Sequence, residues 1–339
     1  MRRPEARRRL SSAPLLQNLG GGAGGGQALR RVLVAGIPLE GVSVLFFRRA
    51  QILRLATLCL CVLGCDRKHD SALSRRDDFG DPVRIAQSPT RIVSLNPATT
   101  EILFTLGASR RLVGRTKFDL WPDSARLIPS LGDGIRPSVE AVLGTHPDLV
   151  ILYASQDNRP AAARLRAAGV NTLALKVDHI ADFRRCVALL GAILHDPDRA
   201  RIVTDSVTRT LDRVRNATAN LDRIPVFWHI WDAPLITVGS GSFMNELVEI
   251  AGAKNVYADI RAPSAQISLE DVAKRDPRFI LAGPIGRGQI ESDPRWRIVP
   301  AARENRVLVV DTLLVARPSV RLGEAAVSLA KLLHPGAIR

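Results

Sequence analysis

The chain has 339 residues, 48 Lys+Arg against 33 Asp+Glu, and an apolar fraction of 46% that is ordinary for a globular protein. No uninterrupted apolar run approaches the ~20 residues that a membrane-spanning helix needs, which excludes a polytopic membrane protein. The net charge of +15 is uneven: residues 1–64 hold ten Arg and two Glu, and the excess beyond them is dispersed, with no Lys/Arg run interleaved with aromatics, which excludes nucleic acid as a partner.

Residues 1–45, Arg-rich and then GGGAGGGQ, fit no targeting pattern and read as a doubtful extension, either an untranslated upstream start or a disordered segment. Residues 46–64 read as a signal peptide. A positive region (Arg48, Arg49, Arg54) precedes a short apolar core, Leu55 to Leu63, too short to span a bilayer. The close of this stretch, Val62-Leu63-Gly64-Cys65, resembles a bacterial lipobox, which implies cleavage before Cys65 and diacylation of its thiol. A zinc or redox cluster of Cys59, Cys61 and Cys65 is the alternative, but that apolar run offers no His, Asp or Glu partner. Residues 65–88 are polar and read as a tether. Cys186 is then the one cysteine left in the folded body, so no intramolecular disulfide is expected.

From residue 89 to 180, short β-rich runs alternate with helical patterns. RIVSL (91–95), LVGRT (112–116), DLVILY (148–153) and NTLALKV (171–177) read as strands; TTEILFTLGA, SVEAVLGTH and RPAAARLRAAG read as helices, so a parallel α/β lobe follows. Residues 181–221 hold two helices and no strand. Asp196 and Pro197 supply an N-cap and a first helical position, and the helix from Pro197 to about Ala219 spans roughly 35 Å. A second α/β lobe, 222–339, begins at PVFWHIW (225–231), continues through LITVG, NVYAD, RFILAG and RVLVVD, and ends in a helix from about Ser319 to Leu333.

The halves correspond. Ser138-Val139-Glu140 followed by His146-Pro147-Asp148 matches Ser268-Leu269-Glu270 followed by Asp276-Pro277-Arg278 at an offset of 130. Glu101 with Gly107-Ala108 matches Glu246 with Gly252-Ala253 at an offset of 145. The shared order of elements implies two related, Rossmann-like lobes joined by a single long backbone helix.

The segments RIVSLNPATTEILFTLGA, SVEAVLGTHPDLVI, ITVGSGSFMNELVEIAGAKNV and QISLEDVAKRDPRFIL resemble the solute-binding proteins of bacterial ABC importers for vitamin B12 and iron–siderophores. The resemblance covers about residues 90–335. It implies a bilobal receptor, without enzymatic activity or a cofactor of its own, holding a corrinoid or a ferric chelate between its lobes. It further implies a periplasmic monomer, soluble or anchored through Cys65, that hands its ligand to an ABC permease and its ATPase. One Glu per lobe docks on the permease in that family; the matching positions are Glu140 and Glu270. Gly134 and Ser264 stand six residues before them, where the family's B12 binders often carry an aromatic.

The first lobe carries 15 extra residues within Thr116–Gly134, including Phe118 and Trp121; the second has Phe227, Trp228, His229 and Trp231 close together. Aromatic faces at strand ends suit a broad, partly apolar disc. Phe118, Trp121, Trp228 and Trp231 are therefore ligand candidates, and His229 is a candidate contact for a chelated metal. Core packing is the alternative, since alternation along a strand lets one set of side chains face each side. Arg317 and Arg321 could face an anionic ligand or stand solvated at a helix start. No dedicated metal site is expected. A hydrolase is the rival class, but G-x-S-x-G, P-loop and H-E-x-x-H patterns are missing; a structural lipoprotein is the third.

Overall fold

Runs such as Ile92–Leu95 and Leu149–Leu152 carry an apolar or small residue at every position, which leaves no solvent face, and they become inner strands of a sheet covered on both sides. The computed structural model describes residues 76–338 other than 84 and 86, all within one compact unit. The extension 1–45, the signal peptide 46–64, Cys65 and the tether as far as residue 75 lie outside the described residues.

In the first half, β1 (Ile92–Leu95), α1 (Pro97–Thr105), β2 (Leu112–Gly114), α2 (Val139–Leu143), β3 (Leu149–Tyr153), α3 (Arg159–Ala167) and β4 (Asn171–Leu175) build a four-stranded sheet in the order β2-β1-β3-β4, parallel throughout. Two helices follow, α4 (Ile180–Ile193) and α5 (Pro197–Thr218). The Asp196 carboxylate caps α5 by accepting the Arg199 N–H at 3.0 Å, and Pro197 stands first in the helix. At 22 residues α5 is about 33 Å long.

The second half contains β5 (Ile224–Asp232), β6 (Leu235–Val238), α6 (Phe243–Ile250), β7 (Ala253–Asn255), β8 (Ser264–Gln266), α7 (Leu269–Arg275), β9 (Phe279–Ala282), α8 (Pro284–Ser292), α9 (Pro300–Arg303), β10 (Val307–Val309), α10 (Thr312–Val315) and α11 (Leu322–Leu333). Its sheet runs β10-β9-β5-β6-β8, with β7 also on β5. This sheet is mixed: β9, β10 and β7 are parallel to their partners, whereas β5–β6 and β6–β8 are antiparallel. Two elements differ from the sequence expectation. The NVYAD strand stops at Asn255, whose side chain accepts the Tyr257 N–H at 3.0 Å and turns the chain. The last helix starts at Leu322 because Pro318 and the bonded Ser319 hold the preceding residues in a turn.

The repeat has a geometric counterpart. Ser138 and Ser268 each accept an N–H three residues on at 3.2 Å, opening α2 and α7 alike. His146 and Asp276 both adopt positive φ (48° and 45°), and Gly107 and Gly252 both stand at +81° after their helices. One apolar core runs from Ile92 through α4, α5 and Trp228 to Leu333, so the two halves share a continuous interior at the backbone helices. Smaller clusters lie under the outer face of each sheet. Part of the stretch that reads as tether belongs to this body. The Asp77 carboxylate accepts the Ala174 N–H at 3.0 Å, and Asp78 accepts from Arg185 at 2.8 Å.

Candidate functional site

Parallel strands aim their carboxyl ends the same way, and the loops leaving those ends are where α/β sheets present residues to ligands. Here the carboxyl edges of the two sheets are brought together by contacts between distant segments. Arg317, in the loop between α10 and α11, donates from Nη1 to Glu101 Oε1 at 3.1 Å and from Nη2 to the Phe118 carbonyl. Ser319 donates to the other oxygen of Glu101. The Arg321 guanidinium lies 5.3 Å from the Trp121 ring centre. Behind them, the Phe243 N–H donates to the Asp178 carbonyl at 2.6 Å, and His179 Nδ1 lies 2.7 Å from Glu246 Oε1.

The inserted loop after β2 is built on two buried charges. Arg115 bonds the carbonyls of Ala125 (2.8 Å), Thr116 (2.7 Å) and Arg126 (3.2 Å), so its guanidinium acts as the loop's internal scaffold. Asp119, 1% exposed, accepts the Thr116 N–H through Oδ2, while its Oδ1 has no partner. Burial pushes this carboxyl up to about 6. Burial also raises Glu101 above the usual carboxylate range, against the opposing bonds from Ser319 and Arg317. Gly134 closes the loop at φ +85°, where a Cβ would meet the Leu95 carbonyl at 2.6 Å. An aromatic has no room at that position.

So held, the loop exposes Phe118 (48%) at the carboxyl edge of the first sheet. Ile135 is exposed as well, next to Gly134, whose carbonyl Asn158 Nδ2 ties to that of Tyr153 at the end of β3. On the second sheet, Trp231 (60% exposed) ends β5, Ile285 follows β9 and Leu313 follows β10. Trp231 owes its exposure to a β-bulge between His229 and Trp231 that breaks the alternation and turns two successive side chains outward.

Three candidates stand elsewhere than the sequence reading placed them. Trp228 is 3% exposed and packs in the main core, whereas Phe227 and His229 face the outer cluster with Tyr257 and Trp296. The reason is that β5 is an inner strand, buried on both faces over residues 226–229, so neither member of the alternation there reaches solvent. Burial also lowers the His229 imidazole below its usual range, only partly offset by Asp232 at 3.4 Å. Arg317 is committed to protein partners. Trp121 is half-buried beneath Arg321.

Glu140 and Glu270 are exposed in the first turns of α2 and α7. Hydrogen bonding to its own helix-start backbone lowers each carboxyl, with Arg164 adding to Glu140 and Ser268 to Glu270. Glu140 pairs with Arg164 at 2.7 Å, whereas Glu270 borders a cavity of about 430 Å³ shared with Asp232, Asp293 and Trp296. Among the described residues there is no group of three or more His, Cys, Asp or Glu side chains that could hold a metal ion, and no helix long and apolar enough to cross a membrane.

Sequence reasoning missed Asp119, Ile135, Ile285 and Leu313, and saw Glu101 only as a marker of the repeat. Ile285 and Leu313 were within reach, since Gly283-Pro284-Ile285 and Asp311-Thr312-Leu313 directly follow strand runs.

The family described as periplasmic binding protein matches residues 92–312. The chain is 27% identical over 302 residues to an uncharacterised ABC transporter substrate-binding lipoprotein of Bacillus subtilis, covering 84% of this chain and 96% of that one. It is 23% identical over 256 residues to the vitamin B12-binding protein of Vibrio parahaemolyticus, covering 74% and 92%. The apo structure of a periplasmic haem-binding protein from a Roseiflexus species superposes with a TM-score of 0.67 at 24% identity, covering 73% and 98%. Proteins of this type are transport components and not enzymes. Over most of its length, and with both lobes of the fold represented, this chain belongs to the periplasmic binding protein family.

Proposed function

We propose that the protein is the substrate-binding lipoprotein of an ABC importer and captures a metal chelate, a corrinoid in the first place, between its two sheets. The observation that carries this reading is the character of the facing carboxyl edges. They expose Phe118, Ile135, Trp231, Ile285 and Leu313, broad apolar faces suited to a disc-shaped ligand. Four arginines near them are already paired: Arg317 with Glu101, Arg321 with Glu324 at 2.9 Å, Arg136 with Asp157 at 2.7 Å and Arg287 with Glu291 at 2.6 Å, while the Lys117 ammonium lies 5.0 Å from the Phe118 ring centre. Tyr153 bonds Asp178 at 2.6 Å and His229 is buried, so neither stands ready as a ligand for iron. Such a cleft favours a chelate that fills its own metal coordination. A haem or ferric siderophore is the second reading, supported by the haem-binding relative of the same fold. Glu140 and Glu270, at equivalent places in the repeat, are the proposed docking points for the permease, and Cys65 the proposed lipid anchor.

Equilibrium dialysis against cyanocobalamin, cobinamide, haemin and a ferric hydroxamate, read by the visible band retained on the protein, tests the assignment. Retention of the corrinoids at micromolar concentration supports it. Retention of haemin or the hydroxamate alone moves the ligand to the second reading, and retention of none refutes both ligand readings.

A further inference from the structure

We propose that Arg317 and Ser319 are positioning residues: through Glu101 they tie the second lobe to the first and hold the Phe118–Trp121 loop in its ligand-facing attitude. The inference rests on the reading of the facing edges as the ligand site, and it assigns Arg317 a role other than contact with an anion.

Three observations converge on it. Glu101 is 1% exposed on α1, yet both its oxygens are taken by the segment 216–218 residues further on, from Arg317 Nη1 and Ser319 Oγ. A carboxylate buried to this degree is costly unless paired and bonded, so the pair has little freedom to separate. The same guanidinium donates its Nη2 to the Phe118 carbonyl, so one side chain joins α1, the inserted loop and the second lobe. Arg321, one turn further on, covers the Trp121 ring. The loop is thus gripped by its backbone at Phe118 and by its ring at Trp121, leaving the Phe118 side chain half exposed, with the Lys117 ammonium 5.0 Å from its ring centre.

The repeat supplies an independent support. Glu246 is equivalent to Glu101 at the offset of 145, and it also accepts from across the molecule, with Oε1 at 2.7 Å from His179 Nδ1 and 3.4 Å from the Ile180 N–H at the start of α4. Neither carboxylate serves its own helix: Glu101 is held from the α10–α11 loop, and Glu246 meets the exposed start of α4 from the other half. Two carboxylates in corresponding places, each reaching the other half, fix the approach of the lobes. Lost order in the loop would be felt as faster ligand escape, because a preorganised contact surface lowers the entropy cost of binding.

The test uses the purified full-length chain with Arg317→Met, and Arg317→Lys and Ser319→Ala as milder variants. Amide hydrogen exchange without ligand is read first. The expected result is exchange at least about tenfold faster in residues 116–121 and unchanged in β3 and β9. Unchanged exchange in that loop, or a uniform rise throughout the chain, overturns the proposal. Cyanocobalamin affinity is then measured in a cycle with Phe118→Ala. Arg317→Met is expected to weaken binding about tenfold in the wild-type background and less than about twofold with Phe118→Ala. An equal loss in both backgrounds would mean that Arg317 acts on the ligand directly, and would overturn it. If the wild-type chain binds no corrinoid, haemin or ferric hydroxamate, the ligand reading fails while the exchange result still decides the tie.

Discussion

Asp119 offers the clearest test of the physical reading of the inserted loop. Its carboxyl is 1% exposed, has one oxygen without a partner, and titrates at about 6 because burial penalises the charged form. Against its ordinary value of 3.8, the shift corresponds to about 3 kcal/mol between the charged and neutral states. The folded chain therefore holds this proton more tightly than the unfolded chain. Between about pH 4 and 6 the folded state binds more protons, so the group's contribution to stability is fully present below pH 4 and is lost as pH rises through 6. Asp119→Asn keeps an oxygen for the Thr116 N–H and removes the charge. Urea unfolding of both proteins at pH 4.5 and 7.5 isolates the effect, because other carboxylates cancel in the difference. The variant is expected to be more stable than wild type at pH 7.5, by up to about 3 kcal/mol, with the gap closing towards pH 4. A variant that is less stable at pH 7.5, or a difference that does not change with pH, would refute the claim that Asp119 is a strained, desolvated charge.

Further outcomes follow from the same contacts. Trp228→Ala should destabilise the fold by ~3–5 kcal/mol, the range for a buried aromatic truncated to Ala, and Trp228→Phe should keep corrinoid affinity within about twofold; a strong affinity loss in the Phe variant would return Trp228 to the ligand site. Glu140→Arg with Glu270→Arg should leave ligand affinity nearly unchanged while uptake and ATPase stimulation collapse; normal uptake would refute the docking assignment. Cys65→Ser should abolish lipid labelling and release the protein from the membrane fraction, and continued attachment would sink the anchor.

What could be read from the sequence follows a physical divide. Strands such as Leu149–Tyr153 declare themselves because a strand covered on both faces needs apolar side chains throughout, and α5 declares itself through Asp196, Pro197 and its amphipathic spacing. The repeat, too, was legible, since serine caps and post-helix glycines are local chemistry. Trp228 and His229 were not, because the decision depended on β5 being an inner strand and on a bulge that no local residue announces. Arg317 and Glu101 lie 216 residues apart, and their pairing exists only once both sheets are assembled. The proposed site was therefore half legible: exposed Phe118 and Trp231 could be nominated by residue type and position, the residues that hold them only by tertiary contact.

Calorimetric titration of the protein with cyanocobalamin, set beside the Phe118→Ala, Trp231→Ala double variant, reaches the central claim most directly. The account predicts one site of micromolar or tighter affinity in the wild type, and a loss of about tenfold or more in the variant, since each stacked aromatic contributes ~0.5–1.5 kcal/mol beyond its buried area. Equal affinity in the two proteins would contradict the placement of the ligand between these edges, and no heat of binding in the wild type would contradict the corrinoid itself.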